Sequence, residues 1–130
     1  MKHSINIFMI EDDFDDVEFY KMALDERGLT YSLTAFPDPD KAYKSLSTST
    51  SLPELIVLDL NLPCKSGTDV LEKIKSNKRF RNIPVVVLTG SQMDGDRERA
   101  FALGAKDFVL KPNQISEFAL VADATLNALS

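Results

Sequence analysis

Residues 55–59 read Leu-Ile-Val-Leu-Asp, four consecutive apolar residues followed directly by a carboxylate. A strand that is apolar at every position has to be buried on both faces, which is typical of a parallel sheet covered by helices on both sides. A second run of this kind, at 84–88, reads Pro-Val-Val-Val-Leu and is followed by Thr89. The two runs predict buried strands that each end in a polar side chain.

Segments with helix periodicity separate these runs, and the alternation continues along the whole chain. We predict strands at 5–10, 30–36, 55–58, 84–88 and 107–110. Helices are predicted at 14–27, around 42–46, and at about 67–76, 94–103 and 114–129. The Ser- and Thr-rich stretch 45–52 is predicted to be a loop. Strands that alternate with helices in this way predict an α/β fold with a parallel sheet.

Length and composition restrict the class of protein. The 130 residues suit one domain, 1–130, and we expect no output domain after the last helix. The net charge of −5 argues against nucleic-acid binding through a general positive field. No stretch approaches the roughly 20 apolar residues of a membrane span. The single cysteine, Cys64, cannot form an internal disulfide, so we expect a reducing, cytoplasmic location.

Polar residues gather where the predicted strands end. Ligands of an open parallel α/β sheet bind beyond the carboxyl ends of its strands, where the strand order reverses. The residues at those ends are Glu11-Asp12-Asp13, Asp59-Leu60-Asn61, Thr89-Gly90-Ser91 and Lys111-Pro112. The sequence therefore predicts carboxylates, a hydroxyl and a lysine along one edge of the sheet.

This set of side chains suits phosphoryl transfer. Clustered carboxylates repel one another unless a cation intervenes, and Mg²⁺ prefers oxygen ligands and binds phosphate oxygens. An aspartate beside such an ion is a plausible nucleophile, and no histidine base is needed because a carboxylate is already an anion. The only histidine, His3, precedes the first strand. A lysine and a threonine hydroxyl can stabilise the incoming phosphoryl oxygens.

Four short motifs occur in order along the chain: Ile10-Glu11-Asp12, Leu58-Asp59-Leu60-Asn61-Leu62-Pro63 with Gly67, Leu88-Thr89, and Gly104-Ala105 leading through Phe108 to Lys111-Pro112. Through these motifs the whole chain resembles the receiver domains of bacterial response regulators. The resemblance implies a flavodoxin-like (βα)5 doubly wound fold with strand order 2-1-3-4-5. It also implies a phospho-acceptor switch in a two-component system, which catalyses only its own phosphorylation and dephosphorylation.

Roles follow from the resemblance position by position. Asp59 is expected to take the phosphoryl group. Glu11 and Asp12 are expected to hold Mg²⁺ together with Asp59 and the backbone carbonyl of Asn61. Lys111 is expected to pair with the acceptor carboxylate and then with the phosphoryl group.

The resemblance further implies a conformational switch. Thr89 is expected to move toward the phosphoryl oxygen. Phe108 is expected to occupy the aromatic switch position, and because it lacks the hydroxyl of a tyrosine, the switch would work by packing alone. The bond before Pro112 is expected to be cis, and Asn61 and Ser91 are expected to influence the lifetime of the phosphoryl group.

Partners are also implied by the resemblance. The Glu-Asp-Asp-Phe-Asp-Asp opening and the 81–89 segment are similar to small single-domain regulators that partner phytochrome-type kinases. The phosphoryl donor is thus expected to be a sensor histidine kinase or a phosphotransfer protein. A homodimer through helix 4, strand 5 and helix 5 is left open, as is the downstream protein.

Structural roles for some of the acids, and two other classes of function, are left open by the sequence. The further acids Asp13, Asp15, Asp16 and Glu18 are interpreted as solvated or as stabilising the first helix. An aspartyl-nucleophile phosphohydrolase is one alternative function, although such enzymes want Asp-x-Asp on the first strand and Asn61 cannot act as a general acid. A phosphorylation-independent adaptor is the other alternative.

Overall fold

A single parallel sheet organises the chain. The computed structural model describes residues 4–62, 66–90 and 95–129, so the expectations about His3, Cys64 and Ser91 lie outside the described residues. The strands are β1 (Ile5–Ile10), β2 (Tyr31–Phe36), β3 (Leu55–Leu58), β4 (Val85–Thr89) and β5 (Asp107–Leu110). All pairs are parallel and the order is β2-β1-β3-β4-β5, which confirms the predicted fold.

Helices cover both faces of the sheet. They are α1 (Phe14–Glu26), α2 (Pro39–Thr48), α3 (Gly67–Ser76), α4 (Asp96–Ala102) and α5 (Phe118–Asn127), and a 3-10 turn at Ile115–Glu117 precedes the last one. One hydrophobic core lies between the sheet and α2, α3 and α4. The other lies between the sheet and α1 and α5. Within the described residues no helix is long and apolar enough to cross a bilayer.

The uniformly apolar strands follow from this two-sided burial. Successive side chains of a strand point to opposite faces of the sheet. In β1, Phe8 and Ile10 enter the first core, whereas Ile7 and Met9 enter the second. Every position must therefore be apolar, which leaves the strand ends as the place where polar side chains can collect.

The helix α2 extends into the stretch predicted to be a loop. The Asp38 side chain accepts a hydrogen bond from the backbone of Asp40 and begins the helix. At its other end, Ser47 Oγ donates to the carbonyl of Tyr43 and Thr48 Oγ1 to that of Lys44, each at 3.0 Å. Hydroxyl side chains can bond the carbonyl four residues earlier, so Ser and Thr did not end this helix at residue 46.

Three hydrogen bonds join α1 and the residue that follows it, Arg27, to α5. The buried Tyr20 hydroxyl donates to Thr125 Oγ1 at 2.8 Å. Arg27 contacts Asp123 Oδ1 at 2.7 Å and donates to the carbonyl of Ala119 at 2.8 Å. These contacts hold α1 against the last helix.

Candidate functional site

Three carboxylates meet at the carboxyl edge of the sheet. Glu11 and Asp12 follow β1, and Asp59 follows β3, which lies beside β1 in the sheet. The Asp59 amide donates to the carbonyl of Ile10 at 3.0 Å and so continues the pairing of the two strands past their ends. One oxygen from each of the three carboxylates can be chosen so that all lie within 4.8 Å of one another. The predicted acidic cluster is therefore assembled.

Glu11 is the most constrained of these acids. Its side chain is buried, and one carboxylate oxygen, Oε2, accepts from the backbone of Asp13 at 3.2 Å. Burial, reinforced by the charge of Asp59 and opposed by contact with Lys111, raises the pKa of Glu11 to about 8. The buried environment therefore disfavours the charged form of this carboxylate, and a cation bound beside it would stabilise that form.

Lys111 brings a positive charge into the cluster. Its amide donates to the carbonyl of Thr89 at 2.9 Å, which fixes the residue beyond β5. Its ammonium Nζ lies 2.8 Å from Glu11 Oε1, 2.9 Å from Asp16 Oδ2 and 3.2 Å from Asp59 Oδ2. Burial opposes the charge, but the hydrogen bonds and charges of these carboxylates outweigh it and raise the pKa of Lys111. The lysine is thus held protonated against the expected acceptor.

The Asp59 carboxylate is buried and held at both oxygens. Oδ1 accepts from the backbone of Asn61 at 3.0 Å, and Oδ2 faces Lys111. The helix α3 begins directly against this turn, with the Gly67 amide donating to the carbonyl of Leu60 at 3.0 Å. A Cβ on Gly67 would lie 2.5 Å from the Asp59 carbonyl oxygen and closer still to Leu60 Cα. Only glycine fits at this approach.

Thr89 and Asn61 are joined across the site. Thr89 ends β4 and is fully buried. The Asn61 side-chain amide donates to Thr89 Oγ1 at 3.3 Å. The structure thus places the Thr89 hydroxyl beside Asn61, the residue whose backbone carbonyl is expected to hold the metal.

Two expectations concern β5 and the residues that follow it, and the structure tests only the second. Phe108 is 8% exposed and packs in the core with Ala100 and Ala105, so its ring lies inside the protein. The expectation of a cis bond before Pro112 is wrong, because the described chain contains no cis peptide bond. Lys111 reaches all its partners with a trans bond, so the observed contacts do not require the cis form.

Asp16 is a site residue that sequence reasoning missed. The side chain of Asp13 caps α1 by accepting from the amides of Asp15 and Asp16, which sets the first turn beside Lys111. Asp16, the third helical residue, turns its carboxylate toward Lys111, while Asp15 is exposed. An acid in the first turn of a helix is expected from the helix dipole alone. Its presence in the sequence therefore did not indicate the ion pair with Lys111.

The arrangement fits a divalent metal ion. Its donors are carboxylate oxygens, which hard cations prefer, and two of the three carboxylates are buried. Burial raises the pKa of Glu11 despite the contact with Lys111, so a bound cation would stabilise the charged form of this carboxylate. The site can therefore hold a cation next to the Asp59 carboxylate, which also contacts Lys111.

Comparison with known proteins points to the same family as the sequence motifs. A family model described as the response regulator receiver domain matches residues 7–123. The probable methanogenesis regulatory protein FilR2 of Methanothrix harundinacea is 34% identical over 82% of the chain and 71% of its own length. The phosphate regulon transcriptional regulatory protein PhoB of Escherichia coli is 31% identical over 95% of the chain, which spans 52% of that relative.

Solved structures of similar size also match. The phosphorylated cyanobacterial phytochrome response regulator RcpA is 31% identical, with a TM-score of 0.90 over 98% of this chain and 96% of that chain. The Mn²⁺-bound form of the response regulator Rcp1 is 30% identical, with a TM-score of 0.84 over 92% and 90% of the two chains. One of these relatives is phosphorylated and the other binds a divalent metal.

Proposed function

Because the chain belongs to the response regulator receiver domain family, whose members are phospho-acceptor signalling switches, we propose that Asp59 is the acceptor and that a histidine kinase is the donor. The single observation that carries this assignment is the position of Asp59: its buried carboxylate lies 3.2 Å from Lys111 Nζ and clusters with Glu11 and Asp12. A strand-end acid that merely capped a turn would need none of these neighbours.

The proposed reaction uses the Asp59 carboxylate as the nucleophile. One of its oxygens attacks the phosphorus of a phosphohistidine, an O–P bond forms, and the P–N bond breaks with its electron pair passing to the imidazole nitrogen. The Lys111 ammonium, already beside Asp59 Oδ2, is placed to stabilise the negative charge on the phosphoryl oxygens. Hydrolysis by water later returns the carboxylate and inorganic phosphate, and we propose that the chain catalyses no other reaction.

We propose Mg²⁺ as the metal, held by Glu11, Asp12, Asp59 and the backbone carbonyl of Asn61. When bound, this ion would neutralise charge on the carboxylates and on the phosphoryl oxygens. The support is the all-oxygen donor set, which suits Mg²⁺, and the Mn²⁺-bound form of the similar regulator Rcp1.

The switch is proposed to start at Thr89. Its hydroxyl is engaged by the Asn61 side chain in this structure, so movement toward a phosphoryl group on Asp59 has to break that 3.3 Å hydrogen bond. Phe108, three residues before Lys111, is proposed to change its packing as Thr89 moves. Its buried position against Ala100 of α4 would pass this change to the adjacent helix.

A phytochrome-type histidine kinase is the proposed donor, with a phosphotransfer protein as the alternative, and the support is similarity to the phytochrome response regulator RcpA. We propose that this receiver domain signals by protein contacts. Since the ATP-consuming part of such kinases lies in the cytoplasm, we propose that the protein acts there.

The proposed partner surface is the face formed by α4, β5 and α5. Large apolar side chains are exposed along it, namely Phe101, Leu110, Ile115 and Leu120. Leu110 and Leu120 line a hollow of about 430 Å³ that also includes Lys111. A surface that touches the phosphorylation site could report its state, to a second copy of the chain or to another protein.

This partner surface can be tested by sedimentation with and without beryllofluoride and Mg²⁺. A homodimer predicts that beryllofluoride increases the sedimentation coefficient and that Leu120→Asp abolishes the increase. Met22→Asp on α1 is the matched control, because Met22 is also exposed and apolar but lies on another face. A beryllofluoride-bound protein that stays monomeric would assign the surface to a different protein.

The proposed function itself is tested with acetyl phosphate and with beryllofluoride at millimolar Mg²⁺. We expect one phosphoryl group per chain by mass spectrometry, and chemical-shift changes at Thr89 and Phe108. Asp59→Asn should abolish both, whereas Asp69→Asn, the same substitution at an exposed residue of α3, should abolish neither. Phosphorylation of Asp59→Asn at the wild-type level, or repeated turnover of a small phosphomonoester, would contradict the assignment.

A further inference from the structure

Asp16 contacts the lysine of the site more closely than the proposed acceptor does. Its Oδ2 lies 2.9 Å from Lys111 Nζ, compared with 3.2 Å for Asp59 Oδ2. Only 17% of the Asp16 side chain is exposed, and 19% of the Lys111 side chain. The pair is therefore a partly desolvated ion pair in which water competes weakly with the carboxylate.

The ammonium of Lys111 has as many donors as it has carboxylate neighbours. A lysine ammonium offers three N–H groups, and Glu11, Asp16 and Asp59 each place an oxygen within ion-pair distance. A phosphoryl group on Asp59 has to share or displace one of these partners to reach the ammonium. Glu11 and Asp59 have roles in metal binding and phosphoryl transfer, but Asp16 has neither.

We propose that Asp16 is a positioning residue that competes with the phosphoryl group for Lys111. This inference rests on the proposed function, because it assigns Asp16 a role in the same site. Asp16 adds a fourth carboxylate to Glu11, Asp12 and Asp59, so the site carries more negative charge than its one lysine offsets. That surplus attracts a divalent cation and repels the phosphoryl group.

The two consequences of Asp16 have opposite signs. Asp16→Asn removes one negative charge, so the affinity for Mg²⁺ should fall by about fivefold, as expected for a charge interaction near a protein surface. The same change releases Lys111 and reduces repulsion, so the affinity for beryllofluoride at saturating Mg²⁺ should rise by about fivefold. A residue with a merely structural role would lower both affinities when replaced.

The experiment measures both affinities by titration calorimetry, Mg²⁺ alone first and then beryllofluoride at saturating Mg²⁺. Asp15→Asn is the matched control, since it removes the same charge from the neighbouring, exposed position in the same helical turn. Asp16→Glu keeps the charge and should stay closer to the wild type than Asp16→Asn in both titrations.

The outcomes separate this inference from the proposed function. Opposite changes in Asp16→Asn, absent or much smaller in Asp15→Asn, support competition for Lys111. Two affinities that fall together, two that do not change, or equal effects in Asp15→Asn overturn it. If the wild type binds beryllofluoride and Asp16→Asn has the same two affinities as the wild type, only this inference fails. If the wild type does not bind beryllofluoride at all, the proposed function fails first.

Discussion

Replacing Gly67 by alanine should damage both the fold and the site. Gly67 is the first residue of α3, and its Cα lies against the backbone of Asp59 and Leu60. An added Cβ would be 2.5 Å from the Asp59 carbonyl oxygen, whereas ordinary contacts of a Cβ lie at 3.4–4 Å. The neighbours are backbone atoms, so no side chain can rotate to make room. The helix α3 and the turn at Asp59 therefore have to move apart by about 1 Å, the difference between these distances.

The expected cost can be worked from that displacement. Overpacking of a well-packed interior costs about 1–3 kcal/mol. Alanine in place of a helical glycine returns about 0.5–1 kcal/mol. The difference between these two ranges is an expected net loss of about 0–2.5 kcal/mol in the free energy of unfolding. Because the shift displaces Asp59 relative to Lys111, beryllofluoride affinity should fall by at least about tenfold.

Urea denaturation and beryllofluoride titration measure these two effects. Gly90→Ala is a matched control, since among the described residues no atom would lie within 4 Å of its Cβ and its φ is not in the left-handed region. We expect Gly90→Ala to unfold within about 0.5 kcal/mol of the wild type. A Gly67→Ala protein with wild-type stability and wild-type affinity would refute the close approach as the reason for glycine.

Three further predictions concern the ion site and the contact between α1 and α5. Chelation of Mg²⁺ should lower the melting temperature, because a ligand at 100 times its Kd stabilises the fold by about 2.7 kcal/mol. In thermal scans, Asp12→Asn should lose most of the rise in melting temperature that Mg²⁺ gives the wild type. An equal rise in Asp12→Asn would contradict the metal assignment. Tyr20→Phe removes the buried hydrogen bond to Thr125 and should cost about 1 kcal/mol in urea denaturation. Arg27 holds the pKa of Asp123 below its ordinary value, so the pair stabilises the fold above that ordinary pKa and the contribution disappears as the pH falls through the lowered one. Wild-type stability should therefore fall more steeply than that of Asp123→Asn as the pH drops below about 4, and parallel curves would contradict the ion pair.

The sheet could be predicted from sequence because its signals are local. The run from Leu55 to Leu58 has to be buried on both faces wherever it lies, and the residue after it has to lie at a strand end. The same reasoning placed Glu11, Thr89 and Lys111 at one edge, and the geometry of a parallel sheet then brought them together.

The features that escaped prediction depend on contacts between distant segments. Asp16 and Asp15 are equivalent as first-turn acids in the sequence, and only the position of Lys111, which comes from β5, distinguishes them. The helical end at Ser47 and Thr48 was misread because a hydroxyl residue can end a helix or bond within it. The trans bond before Pro112 contradicted an expectation that came from resemblance rather than from the residues themselves.

The lysine contacts also bear on when a newly made chain becomes competent to signal. Lys111 reaches Asp59 across 52 positions of sequence, and Glu11 lies still earlier in the chain. During synthesis the proposed acceptor and the proposed metal-binding acids therefore leave the ribosome well before the ammonium that offsets part of their charge. An emerging chain carries an acidic pocket without its lysine until β5 joins the edge of the sheet. Under the proposed function, we expect the chain to accept a phosphoryl group only after β5 has joined the sheet.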